Sequence, residues 1–319
     1  MIAMNRLDKT GKETIVSIDA VEPYDFELSL RVNRSFLPKS EAEDKTFHIA
    51  VEKDNTPIMI TISKDQATRN NTVAAADPEI EEAFLKKTVK WVLSTELDLS
   101  PFYGLINNDA KLDSIIMPLH GLKPFRPASL FEMAVVAITE QQISLSAAFH
   151  IRSRVVERFG MPLKSEWIFP DANRLANARV EDLRSCGLSK QKAQYIHELS
   201  GNIARGELDL DDLKRMNDDQ ARETIMNWRG FGAWSANYIL VRGLARPDCV
   251  PIDDLAVRSM IGKYLGNGSR VSSSVVEDLL KPYKPYRGNL SFYLLAYDRL
   301  HSSIVFPYNF NQTSTGLFR

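Results

Sequence analysis

The residues best suited to chemistry lie between Trp228 and Arg258. Two glycines frame the corner Arg229-Gly230-Phe231-Gly232. Before it, Ala221, Ile225 and Trp228 share one helical face; after it, a second helical run opens with Ala233-Trp234-Ser235-Ala236. Two helices joined by a G-x-G corner make a helix-hairpin-helix. Glycines there can adopt positive φ and leave backbone N–H groups bare at a helix N-terminus, a natural seat for a phosphate. An ordinary αα-corner uses glycine simply to end one helix and open the next. The corner alone leaves both readings open.

After the second helix, Pro251-Ile252-Asp253-Asp254-Leu255 opens another. Aspartate is among the best helix caps, and capping could be its whole role. A carboxylate beside a helix N-terminus also stays ionised, as a base or electrostatic stabiliser must. One short helix beyond a phosphate-gripping hairpin, it could face the sugar of a held nucleotide. Trp234 and Tyr238 stand four apart and so reach one helix face. Such a stripe serves either a core or a wall against which a base stacks.

These groups need elements to position them. The first ~75 residues read as β by their alternation. Phe26, Leu28, Leu30 and Val32 alternate with Glu27, Ser29 and Arg31, the pattern of a half-buried strand. Phe47, Ile49 and Val51, the turn-rich Lys53-Asp-Asn-Thr, then Ile58, Ile60 and Ile62 predict a hairpin. From Asp77-Pro78, a cap followed by proline, the period becomes helical, and Ser100-Pro101 repeats that start signal. Further helices are expected near 129–159, 180–186, 190–205, 219–228, 233–245, 254–265, 273–280 and 289–301. The tail after Phe306 is polar and expected to be mobile. The fold class is therefore α+β, a small antiparallel β-sheet domain over 1–76 followed by an all-α body over 77–319.

Composition limits the function classes. The 319 residues, 44% hydrophobic and 25% charged, match a soluble globular chain with room for two or three cores. No run approaches the ~18 apolar residues of a membrane span, and the N-terminus lacks a signal-peptide pattern. A soluble, reducing compartment is expected, cytoplasmic in a prokaryote or nuclear in a eukaryote. Two cysteines, Cys186 and Cys249, are too few for a four-cysteine cluster, and the five histidines show no metal-ligand spacing. No transition metal is expected. The net charge of −1 is unusual for a nucleic-acid binder, although charge can still be segregated onto one face.

The run Trp228-Arg-Gly-Phe-Gly-Ala-Trp-Ser-Ala-Asn-Tyr238 followed by Pro251-Ile-Asp-Asp-Leu255 resembles the helix-hairpin-helix DNA glycosylase superfamily, and within it the bacterial-type 3-methyladenine DNA glycosylase II branch. The resemblance extends from about Pro124 to Leu295. It includes Ile138-Thr-Glu-Gln-Gln-Ile-Ser144, similar to the segment that enters the duplex, and Cys186-Gly-Leu-Ser-Lys-Gln-Lys-Ala193, similar to an upstream helical corner. Lys284-Pro-Tyr-Arg287 is similar to the stretch before the last helix.

The resemblance implies that Asp254 is the catalytic carboxylate, with Asp253 as runner-up. It implies a base pocket with Trp234, Tyr238 and Leu255, and a DNA-binding set of Gln142, Gly230, Phe231, Gly232 and Ser235. Gln142 would fill the hole left by a flipped base. Trp234 stands where bifunctional relatives carry a Schiff-base lysine, which implies a monofunctional enzyme. Leu255, and Leu295 or a neighbour in its helix, stand where relatives have aromatics, which implies a restricted range of alkylated bases. The implied partner is duplex DNA with damaged bases, bound by a monomer. No organic cofactor or iron–sulfur cluster is implied; a monovalent cation at the hairpin is. The alternatives are a glycosylase for 8-oxoguanine, uracil or hypoxanthine, and a damage-binding protein without catalysis.

Overall fold

The computed structural model describes residues 13–34, 45–64, 72–164 and 166–301. The elements run β1 (Thr14–Ile18), α1 (Phe26–Arg34), β2 (Phe47–Lys53), β3 (Thr56–Lys64), β4 (Thr72–Ala76), α2 (Glu82–Leu93), α3 (Ser100–Ile106) and α4 (Ala110–Ile116). They continue with α5 (Leu130–Glu140), α6 (Leu145–Phe159), β5 (Met161–Leu163), β6 (Glu166–Ile168), α7 (Ala172–Ala176), α8 (Val180–Ser185) and α9 (Lys190–Ala204). The chain closes with α10 (Asp218–Met226), α11 (Ala233–Gly243), α12 (Leu255–Tyr264), α13 (Ser273–Leu280) and α14 (Arg287–His301). The polar tail after Phe306 lies outside the described residues.

An antiparallel sheet of order β1-β4-β3-β2 occupies the N-terminal part. The expected hairpin joins β2 to β3, with Lys53 opposite Thr56. Its two loop residues, Asp54 and Asn55, have φ of 50° and 63°. Both are positive, the requirement of a hairpin turn whose twist matches the strands. Behind the sheet, Leu85, Val89, Val92 and Leu93 of α2 join Val16, Ile18, Ile58, Ile60 and Ile62 in one core.

The segment expected as a strand at 26–32 is the helix α1. Asp25 caps it by accepting the Leu28 amide at 2.9 Å. The alternation misleads because α1 is buried on two sides. Phe26 and Leu30 enter the sheet core, whereas Leu28 and Val32 enter the core around α3, α4, α12, α13 and α14. Two i,i+4 pairs offset by two residues mimic a period of two. Between them, buried Ser29 and Asn33 bind the main chain of Lys123 and Phe125.

Two further boundaries differ from expectation. Asp77-Pro78 forms a turn closed by the Ile80 amide on the Asp77 carbonyl, and the helix starts only at Glu82. The single helix expected over 129–159 is two, α5 and α6, interrupted at Gln141-Gln142-Ile143. Gln142 has φ of 56° there, a conformation that ends an α-helix.

The helical body holds two cores. One gathers α5, α7 to α9, α10 and α11; the other gathers α3, α4 and α12 to α14. Chain 244–254 passes from the first core to the second. It thereby carries Asp254 across to face α11.

Candidate active site

The hairpin is built by α10 and α11. Asn217 and Gln220 form a reciprocal capping box that starts α10. Phe231 is only 5% exposed and meets Trp228 edge-on at 5.5 Å, so its ring anchors the corner in the core and only its main chain faces outward. Gly230 has φ of 90°, and a Cβ there would collide with the Tyr195 ring. Gly230 is therefore a conformational and packing requirement.

Gly232 plays another part. Its φ of −107° suits any residue, and a Cβ would meet nothing within 4 Å. Of the two glycines, Gly230 alone uses the positive φ that glycine permits. Gly232 occupies the N-cap of α11 without a side chain to cap it, so the amides of the first turn point into the open space beside it. Trp228 and Gly230 carbonyls each accept one hydrogen bond and keep a second lone pair.

Asp254 caps α12. Its Oδ1 accepts the amides of Ala256 at 2.8 Å and Val257 at 3.2 Å. Its Oδ2 accepts the Trp234 indole N–H at 3.0 Å. Capping and site placement are thus one geometry: the amides fix one oxygen while the other turns toward α11. Asp253 lines the same cavity as Asp254 but is exposed and accepts the Ser273 hydroxyl at 2.6 Å, which links it to the start of α13. Leu255, 60% exposed, forms a lip beside Asp254.

Trp234 and Tyr238 stack on each other at 5.0 Å with planes 25° apart. They form one two-ring platform. Its base is polar: the Tyr238 hydroxyl donates to Glu140 Oε2 at 2.7 Å, and Glu140 Oε1 pairs with Arg152 at 2.5 Å. Arg152 in turn lies 4.4 Å from the centre of the Phe149 ring. Burial, then the Glu140 charge, holds the Tyr238 hydroxyl well above its ordinary range. Nearby Glu132 is also pushed up by burial, opposed by Arg152.

These groups line one cleft of about 2350 Å³, with Asp254, Trp234, Tyr238, Gln142, Gly230, Gly232 and Leu255 all on its wall. Ser235 borders it but is 2% exposed, and its hydroxyl accepts the Gln141 amide at 2.9 Å; this is a scaffold contact. Exposed Gln142, beside Ile143 at 37% exposure, crowns the α5–α6 turn. Leu295 reaches the cleft without an aromatic ring, but Phe292, one turn earlier on α14, lines it too.

Sequence reasoning missed Glu140, Gln141, Arg152 and Lys192. Glu140 and Gln141 stand within the stretch 138–144 and Lys192 within the stretch 186–193, but no spacing rule connects segments so distant in the chain. Among the described residues no group of three or more His, Cys, Asp or Glu is arranged to hold a metal ion. Nor is any helix among them long and apolar enough to cross a membrane.

Comparisons with known proteins identify the family and the fold. Residues 135–285 match the family described as HhH-GPD superfamily base excision DNA repair protein. A DNA-3-methyladenine glycosylase of Bacillus subtilis is 31% identical over 218 residues, 67% of this chain and 71% of that protein. The 3-methyladenine DNA glycosylase structure from Archaeoglobus fulgidus superposes with a TM-score of 0.76 at 23% identity, over 91% of this chain and all of that one. An 8-oxoguanine glycosylase/lyase structure from Clostridium acetobutylicum gives 0.69 at 18% identity, over 90% of this chain and 98% of that one. Likeness at such identities speaks for the fold alone. Through its hairpin, the carboxylate that faces it and the extent of these matches, the chain belongs to the HhH-GPD superfamily of base excision DNA repair proteins, as a DNA glycosylase.

Proposed function

We propose that this glycosylase flips an alkylated base of the 3-methyladenine type out of duplex DNA and hydrolyses its N-glycosidic bond without cutting the strand. The observation that carries the reading is the Asp254 carboxylate, fixed by two amides and the Trp234 indole at the edge of an aromatic platform.

As the base departs, positive charge develops on the sugar. A carboxylate preorganised beside it stabilises that charge and can orient or deprotonate the attacking water. An N-alkylated purine is electron-poor and already a good leaving group, so base departure needs little acid catalysis. Its cationic ring suits an outer, electron-rich face of the stacked Trp234–Tyr238 pair, a contact worth up to ~2 kcal/mol when desolvated.

On the DNA side, the α11 amides beside Gly232 would take a phosphate without regard to sequence. Gln142 would occupy the space left in the duplex. Unstacking costs a few kcal/mol and is cheapest at damaged pairs, which adds selectivity. The indole at Trp234 has no amine for an imine, which supports monofunctional hydrolysis. The Bacillus subtilis relative, a DNA-3-methyladenine glycosylase, supports the alkylated class.

The test is single-turnover excision from duplexes that each carry one lesion, with abasic sites then cleaved by alkali. Release of methylated purines should be fastest. Faster release of 8-oxoguanine, uracil or hypoxanthine would replace this reading with that of an oxidised- or deaminated-base enzyme.

A further inference from the structure

One face of α9 touches both ends of the DNA-facing surface. Lys192, in its first turn, donates from Nζ to the Thr139 carbonyl at 3.0 Å and the Gln141 carbonyl at 2.6 Å. Those carbonyls flank the break between α5 and α6, where Gln142 takes its positive φ. Three residues along, the Tyr195 ring packs against Gly230 of the hairpin. Three further, Glu198 pairs with Arg229 at 2.8 Å. Gln141 closes the loop directly: its Nε2 donates to the Gly230 carbonyl at 2.8 Å and to the Ser235 hydroxyl at 2.9 Å.

An α-helix end has carbonyls with no partner of their own. Here a lysine from another helix fills that need, so α5 can stop abruptly and present an exposed left-handed residue. The same small set of bonds ties that turn to the corner. We propose that Lys192 and Gln141 are positioning residues that couple the phosphate grip at Gly230–Gly232 to the duplex-entering turn at Gln142, so that backbone contact and base displacement occur as one rigid event. The proposal rests on the DNA-flipping reading above. Neither residue touches the reacting atoms in this account; each acts through Gln142.

Rigid coupling predicts a defect that depends on how hard the base is to extrude. A paired lesion needs the wedge held in place, whereas a lesion opposite an abasic site has already lost its pairing. Loss of positioning far from the chemistry can cost up to ~100-fold in rate. Phosphate contacts, by contrast, set affinity for any sequence.

The experiment uses the full chain with Lys192→Met, which keeps the stem and removes the donors, Gln141→Leu, and Lys192→Arg as the conservative variant. For methylguanine opposite cytosine, Lys192→Met and Gln141→Leu should slow single-turnover release by at least about 10-fold. Opposite an abasic site the loss should shrink below about threefold, and affinity for undamaged duplex should stay within about twofold. Lys192→Arg should restore most of the rate.

A second readout is independent of base release: 2-aminopurine beside a tetrahydrofuran abasic site. Wild-type protein should brighten it, and Lys192→Met should bind without doing so. An equal rate loss in both contexts, a parallel loss of affinity for undamaged duplex, or full 2-aminopurine brightening by Lys192→Met would overturn the coupling. If wild-type protein brightens 2-aminopurine but releases no methylated base, the substrate reading fails and the fluorescence result still decides the coupling.

Discussion

Trp234 stands on a helix of one core and Asp254 caps a helix of the other, and the indole N–H of the first reaches the carboxylate of the second at 3.0 Å. The bond spans the crossing of 244–254 and unites the aromatic platform with the carboxylate. Trp234→Phe keeps a stacking ring and removes the donor. A hydrogen bond to a charged group is worth ~1.5–3 kcal/mol, so single-turnover base release should fall at least about 10-fold. Unchanged release would show that the two amides alone hold Asp254 in place.

The glycines of the corner should fail in different ways. Gly230→Ala forces a side chain into the Tyr195 ring at a φ that L-residues avoid, and should lower stability by ~1–3 kcal/mol in denaturant unfolding. Gly232→Val places its Cβ in open space and should cost less stability than Gly230→Ala, ~1 kcal/mol for a poorer N-cap, while weakening binding to every duplex alike. Equal destabilisation by both would refute the distinction.

How far these features were legible depends on how local their causes are. The hairpin, the cap at Asp254 and the two-residue turn at Asp54-Asn55 follow from residue types within a few positions, and the sequence alone suggested them. Helix α1 has the alternation of a strand because its pattern depends on two partners, the sheet and α14, that sequence order does not reveal. Glu140, Arg152 and Lys192 escaped notice because each acquires its role only when segments 12 to 98 residues apart meet.

Tyr238→Phe removes the hydroxyl that Glu140 accepts and leaves a carboxylate oxygen short of a partner beside Arg152. Thermal or denaturant unfolding should show a loss of ~1–3 kcal/mol. The added variant Glu140→Gln should be nearly non-additive with it, because both remove parts of one bonded unit. Simple additivity would mean that the Tyr238–Glu140 bond contributes nothing.

Borohydride added during turnover should trap no enzyme–DNA adduct. The indole at Trp234 cannot form an imine, and the Lys192 amine, which also borders the cleft, is held by two carbonyls. An adduct that vanished with Lys192→Arg would assign a lyase step to that amine.

The central claim is that the Asp254 carboxylate does the chemistry while the hairpin does the holding. Single-turnover release of a methylated purine by Asp254→Asn, measured beside its affinity for an abasic-site duplex, tests that division directly. Release should fall by about 10²–10⁴-fold, the span of a positioned acid–base group, with affinity retained. Full activity in Asp254→Asn together with an inactive Asp253→Asn would contradict the account.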